Sequence, residues 1–239
     1  MDAAWPALEK SAVGGWTLRF SAGISQRANS VLPVAAPNDL DAALEEVETR
    51  SAARWLNSTF QISPSAQPAD LDAYLAARGY TVGTPTLVQV MDGSELDRFA
   101  EIVPDVRLEF TDEPPQDWLE LFWYQDGPAA EDDRAVSRRI LTGVPATYIS
   151  LRVDGRIESI ARLAIVENHG GIYCVTTRPE ARRRGYSRLV MEAVLHEAYR
   201  RELDGVWLQV RESNVGAIVL YNALGFSTAS TYHYRTRAL

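Results

Sequence analysis

Arg182, Arg183, Arg184, Gly185, Tyr186 and Ser187 form one run just ahead of Leu189, Val190, Ala193, Val194 and Ala198, which recur at helical spacing. The run therefore sits at a helix N-terminus, where unpaired backbone N–H groups and the positive end of the macrodipole favour an anion. Gly185 has no Cβ to keep a diphosphate from the backbone, and Ser187 is small and adds a hydroxyl. The arginines can give charge-assisted bonds to phosphate. Three arginines at a helix start oppose the macrodipole unless an anion is expected there, which favours a phosphate site over a solvated basic turn. Farther on, Asn214 is placed to cap the helix that follows it. Tyr221 on that helix can pack inward on its buried face.

The rest of the composition narrows the partner. The net charge is −8, with 24 basic and 32 acidic residues, so general nucleic-acid affinity is not expected. Arg178, Arg182, Arg183, Arg184 and Arg188 form a local basic cluster on this acidic background, which points to a small phosphorylated ligand. The single cysteine, Cys174, and three scattered histidines give no metal-ligand spacing, so no metal is expected. Cys174 lies in an apolar stretch and reads first as a packed thiol, with a covalent relay as the alternative. No signal-peptide pattern and no span of about 20 apolar residues is present, so a cytoplasmic location is expected.

The elements that must position these residues are legible in the second half. Residues 147–153 and 156–166 read as strands around Asp154-Gly155, a hairpin signal. Residues 171–177 read as a third strand, and the helix after the arginine run is expected to end at Gly205. A strand over 206–210, a helix over 214–224 stopped by Gly225, and a closing strand over 227–236 follow. Upstream, residues 116–124 and 132–141 read as helices.

A shift of 146 residues lays Gly79-Tyr80 on Gly225-Phe226, Pro33 on Pro179, and Phe60 and Ile62 on Val206 and Leu208. The segments 16–20, 29–34, 39–55, 59–62 and 70–78 then follow the same order of hairpin, helix, strand and helix, with 86–91 as the next strand. In this alignment Arg182-Arg183-Arg184-Gly185 faces Ala36-Pro37-Asn38-Asp39, which offers neither glycine nor positive charge. The expected organisation is a degenerate half at 1–92, a connector at 93–104 and a catalytic domain at 105–239. The phosphate site belongs to the second half alone.

Arg182, Gly185 and Ser187 match the Gln/Arg-x-x-Gly-x-Gly/Ala signature, Ser187 departing from the usual Gly or Ala. Asn214, Ala217, Leu220-Tyr221 and Leu224-Gly225-Phe226 match a second pattern one strand and one helix downstream. With both motifs, the chain resembles the GNAT (GCN5-related) N-acetyltransferase superfamily over about residues 105–239. The resemblance implies an α/β (α+β) GNAT fold, a mixed and mostly antiparallel sheet with flanking helices. It also implies acetyl-CoA as cosubstrate, with its phosphates on Arg182, Arg183, Arg184, Gly185, Tyr186 and Ser187. Backbone groups of Val175 and Thr177 would hold the pantetheine arm in a V-shaped opening between two strands. Asn214 would contact the pantetheine or cap its helix, and Tyr221 would protonate the departing thiolate. Transfer to a neutral amine would be direct. The general base stays open between Glu167, His169 and Glu212, with His196 disfavoured by its mid-helix position.

The block Gly14-Gly15-Trp16-Thr17-Leu18-Arg19 with Arg27-Ala28-Asn29-Ser30-Val31-Leu32-Pro33 resembles the leader of two-part actinobacterial GNAT proteins, some described as short N-acetylglutamate synthases. That likeness implies glutamate or another amino acid as acceptor, its carboxylate on Arg27 or Arg162. Aminoglycosides and protein or peptide amines stay open as acceptors, as does an inactive acyl-CoA-binding regulatory module. A homodimer is among the open arrangements.

Overall fold

The computed structural model describes residues 1–101, 105, 107–125, 127–128 and 130–239. In chain order its strands and helices are β1 (Glu9–Val13), β2 (Trp16–Phe20), β3 (Leu32–Pro33), α1 (Leu40–Ala52), β4 (Ser58–Ile62), α2 (Leu71–Ala77), β5 (Thr81–Val82) and β6 (Thr86–Asp92). Then come β7 (Leu108–Thr111), α3 (Gln116–Gln125), α4 (Glu131–Leu141), β8 (Ala146–Val153), β9 (Arg156–Val166), β10 (His169–Thr177), α5 (Tyr186–Arg200), β11 (Gly205–Arg211), α6 (Val215–Leu224) and β12 (Ser227–Arg237). This is the expected mixed α/β architecture, with a mostly antiparallel sheet and flanking helices.

Asp154 and Gly155 both take positive φ, 51° and 79°, as a two-residue hairpin turn requires, and Val153 pairs with Arg156 across it. The large sheet runs β4-β12-β6-β11-β10-β9-β8-β7, with β5 also on β12, while β1, β2 and β3 form a small separate sheet. β10 and β11 are its parallel neighbours; the other pairs are antiparallel.

Strand β6, from the first half, lies between β11 and β12 of the second, and β12 reaches on to β4 of the first. Each half thus lends a strand to the other. The cores are shared in part, for Ala4, Trp5 and Ala28 pack with Trp118, Tyr148 and Tyr173. Trp16, Leu18, Val47, Phe60, Leu71, Leu75 and Tyr80 form one cluster in the first half. A larger cluster joins Ile172, Val190, Val194, Leu208 and Tyr221 to Met91, Leu96 and Phe99.

Three expectations change in detail. The segment 93–104 opens with a 3₁₀ helix, Gly93–Phe99, whose Leu96 and Phe99 are core residues under α5; it is more than a linker, and 102–104 lie outside the described residues. Gly205 does not cap α5. The helix ends at Arg200, Glu202 takes the left-handed position (φ 53°), and Gly205 begins β11, where a Cβ would stand 3.0 Å from the Met91 carbonyl oxygen. Leu189, placed in the buried stripe of α5, is only half-buried, whereas Val190, Met191, Val194 and Leu195 are fully buried.

Candidate active site

The site begins where two strands part. β10 pairs with β11 only from His169↔Gly205 to Ile172↔Leu208. Beyond that point β11 stays with β6 through Gln209, Val210 and Arg211, while β10 stays with β9 through Thr176 and Thr177. Each strand keeps its outer partner and loses its inner one, which opens a gap at Tyr173–Val175. The break coincides with a bulge, for the register to β9 shifts between Tyr173 and Thr176 and Cys174 has φ 56°. A cavity of about 700 Å³ fills the gap.

The cavity reaches both faces of the sheet. Ile172, Leu208, Val210 and Tyr221 on its wall belong to the core beneath α5 and α6. Trp5, Phe122, Tyr173 and Cys174, also on its wall, belong to a second cluster on the opposite face with Trp207. The two-residue strand period therefore sends Gln209 and Arg211 to that second face.

The start of α5 lies at the β10 end of this gap. Thr177 Oγ1 is 2.7 Å from Ser187 Oγ and 2.8 Å from Ser159 Oγ, a buried hydroxyl chain tying strand to helix. The Ser187 hydroxyl, expected to face a phosphate, is thus engaged with Thr177. Gly185 is the N-cap with φ 81°, and a Cβ there would meet nothing within 4 Å. Its glycine is explained by the left-handed conformation, with open space beyond. No side chain caps α5 and its first turn holds no acidic residue. Arg182, Arg183 and Arg184 are exposed; among the described residues none forms an ion pair, Arg182 only reaching Gln125 Oε1 at 3.4 Å. An N-terminus left without a carboxylate and flanked by unpaired guanidinium groups fits a diphosphate.

Asn214 lines the cavity and caps α6, its Oδ1 accepting from Ala217 N at 3.3 Å. Tyr221 is 7% exposed and on the cavity wall, and burial pushes its phenol up to about 12, above the ordinary value of 10.0. It is protonated at neutral pH and packed into the core beside the cavity.

The family model described as "Probable histone acetyltransferase Rv0428c C-terminal" matches residues 1–237. The chain belongs to this family. It is also 27% identical to the "uncharacterized N-acetyltransferase YobR" of Bacillus subtilis over 241 residues, 98% of this chain and 95% of that one. In fold it is similar to a GCN5-related N-acetyltransferase from Kribbella flavida (TM-score 0.68, 18% identity, covering 98% of this chain and 91% of that one). A tandem GNAT protein from the clavulanic acid biosynthesis pathway is similar at TM-score 0.64 and 18% identity, over 82% of this chain and 69% of that one. The chain is thus an acyltransferase of the GNAT superfamily.

The remaining residues of this GNAT chain fall into two groups. Glu167 and His169 occupy the exposed turn at the closed end of the β10–β11 pair, Glu167 with φ 53°, and neither lines the cavity. Glu212 is exposed beyond β11 and also off the wall. His196 bonds the Phe99 carbonyl oxygen through Nδ1 at 2.9 Å and braces the 3₁₀ helix. Among the described residues, no Asp, Glu or His lines the cavity.

Arg27, by contrast, lies on the wall, its Cζ 5.4 Å from the Trp5 ring and 5.3 Å from that of Tyr173. Arg162, the alternative carboxylate holder, is fully buried and bonds the Ala4 carbonyl oxygen at 3.1 Å. It supports Trp5 and Tyr173 from behind and does not reach the cavity. Tyr232 and Tyr234 of β12 complete this aromatic wall, a role that periodicity alone could not reveal.

Proposed function

We propose that this protein is an acetyl-CoA-dependent N-acetyltransferase acting directly on the primary amine of a small molecule, an amino acid such as glutamate being the first candidate. The observation that carries it is the coincidence of an uncapped α5 N-terminus with the gap between β10 and β11. In this proposal Arg182, Arg183, Arg184, Gly185, Tyr186 and Ser187 surround the diphosphate. The freed backbone of Val175 and Thr177 aligns the pantetheine arm, beside Asn214. The first half, 1–92, shapes the acceptor side, and 105–239 carries the cofactor loop and Tyr221.

Acetyl-CoA supplies an activated thioester carbonyl. The chain brings a neutral amine to that carbon from the face lined by Trp5, Arg27 and Tyr173, so that the N–C bond forms as the C–S bond breaks. Tyr221 donates its proton to the departing sulfur and is reprotonated by solvent. The amine's surplus proton passes to water, since no carboxylate or imidazole is placed to take it among the described lining residues. The rate should therefore rise with pH toward the pKa of the acceptor amine itself, about 8 for a peptide's α-amine and higher for a free amino acid, whose carboxylate stabilises the ammonium.

Transfer to protein or peptide amines is the second reading, supported by the matching family being that of a probable histone acetyltransferase. Thiol release from acetyl-CoA in the presence of glutamate, an aminoglycoside or a lysine peptide separates these readings. Tight acetyl-CoA binding with no release on any amine would leave a regulatory binding module instead.

A further inference from the structure

We infer that the acceptor is a primary amine carrying its own carboxylate, held by Arg27 within the cage of Trp5, Tyr173, Tyr232 and Tyr234. This deepens the acetyl-transfer proposal and rests on it for the position of the amine. Three independent observations lead there.

The first is charge. Arg27 and Arg211 are the charged residues on the cavity wall, and no carboxylate faces them among the described lining residues. A polycation such as an aminoglycoside or a basic peptide would enter a site already positive and find no counter-charge. An anion-bearing amine would find two.

The second is the state of Arg27. It forms no ion pair with any described residue, and its Nε is buried with no hydrogen-bond partner. The guanidinium instead lies beside the packed Trp5–Tyr173 pair, 5.4 and 5.3 Å from the two ring centroids, which orients it without neutralising it. A half-buried arginine of this kind lacks an anion, and its planar fork matches a carboxylate.

The third is preorganisation. Arg27 sits on a short 3₁₀ turn, Gln26–Ala28, in a loop braced from within by Asn29. The Asn29 carboxamide oxygen accepts from Ser21 N and Gly23 N at 2.7 and 2.9 Å, and its nitrogen donates to the carbonyl oxygens of Ile24 and Ser25 at 2.7 and 2.9 Å. Ser25 Oγ in turn accepts from Trp5 Nε1 at 3.0 Å. Loop and ring are fixed together, so the guanidinium is in place before any ligand arrives. All of this lies on the sheet face opposite α5, from which an amine approaches a thioester threaded between β10 and β11.

The test compares carboxylates with their amides. Calorimetry would measure binding of N-acetyl-L-glutamate, N-acetyl-L-alanine and N-acetyl-L-phenylalanine, and of the corresponding α-carboxamides, to the wild-type protein with coenzyme A present. At least one acid should bind more tightly than its amide by about 30-fold or more, Arg27→Met should abolish that preference, and Arg27→Lys should keep part of it. Equal affinity for acid and amide, an unchanged preference in Arg27→Met, or no binding of any of the three acids would overturn the inference. Thiol release with L-glutamate, L-alanine and L-phenylalanine, their α-carboxamides and a lysine peptide is read separately. Faster turnover of amides or peptide would also overturn it, whereas acid-selective binding without turnover would sink the acetyl-transfer proposal and leave the anion site standing.

Discussion

Helices α1 and α5 face one another when the sequence is shifted by 146 residues, yet their first turns are built in opposite ways. At α1 the chain satisfies its own helix: Asp39 Oδ1 accepts from Ala42 N at 3.0 Å, and Asp41 adds a second negative charge in the first turn. At α5 the cap is a left-handed glycine, the first turn holds no acid, and three exposed arginines precede it. The backbone dipole is the same in both, and what differs is who supplies the negative charge. A helix start filled by its own carboxylate has its dipole answered from within, whereas one without a carboxylate and ringed with cations leaves room for an anion.

Making α5 resemble α1 should produce the largest effect. Gly185→Asp puts a carboxylate and a Cβ at φ 81° where the diphosphate is proposed to lie; acetyl-CoA affinity measured by calorimetry should fall by about 100-fold or more, with the fold intact by circular dichroism. Removing the acid without touching the loop should separate chemistry from binding. Tyr221→Phe keeps the buried ring and should lower kcat by about 100-fold while the KM for acetyl-CoA stays within about twofold. An equal loss in both constants would assign Tyr221 to packing alone.

The reverse experiment acts on α1. Asp39→Ala should cost about 1 kcal/mol in chemical denaturation, the usual value of a lost cap, and leave acetyl-CoA binding unchanged. The smallest effect concerns the seam between the halves, where Asp72 of α2 takes Arg235 Nε at 2.7 Å and His233 Nε2 at 2.7 Å from β12. Those bonds hold the Asp72 carboxyl down at about 2 against an ordinary 3.8. Because the folded value is depressed, its stabilisation is present above about pH 4 and lost as pH falls toward 2. Asp72→Asn should therefore destabilise at neutral pH by at most about 1 kcal/mol, as expected for a partly exposed pair. The difference from wild type should vanish near pH 2, read from urea midpoints.

Local chemistry explains which features were legible beforehand. The Asp154-Gly155 hairpin, the α5 start and the Asn214 cap each depend on residues within a few positions of one another, so spacing reveals them. The 146-residue shift even pairs the contrasting turns at Asp39 and Gly185. Strand exchange is invisible to such patterns, because β6 lies between β11 and β12 through pairing across more than a hundred residues. The bulge at Cys174 is hidden by an unbroken apolar run, and Gly205, which looks like a helix stop, is a strand residue pressed on the Met91 carbonyl oxygen. In the sequence Arg27 and Arg162 are equally suited to a carboxylate; only the fold separates Arg27, on the cavity wall, from Arg162 beneath Trp5.

The exchange of β6 and β12 has a consequence for biosynthesis. The cavity takes Trp5, Arg27 and Thr84 from the first half of the chain, Tyr173 and Tyr221 from the second half, and Tyr234 from β12. The first half cannot cover β4 until β12 emerges, and the partially made second half must accept β6 as a strand synthesised more than a hundred residues earlier. A nascent chain on the ribosome therefore has no finished acceptor pocket and an open sheet edge until residues near 237 leave the exit tunnel. Premature termination in the last strand should yield an aggregating fragment instead of a weakened enzyme.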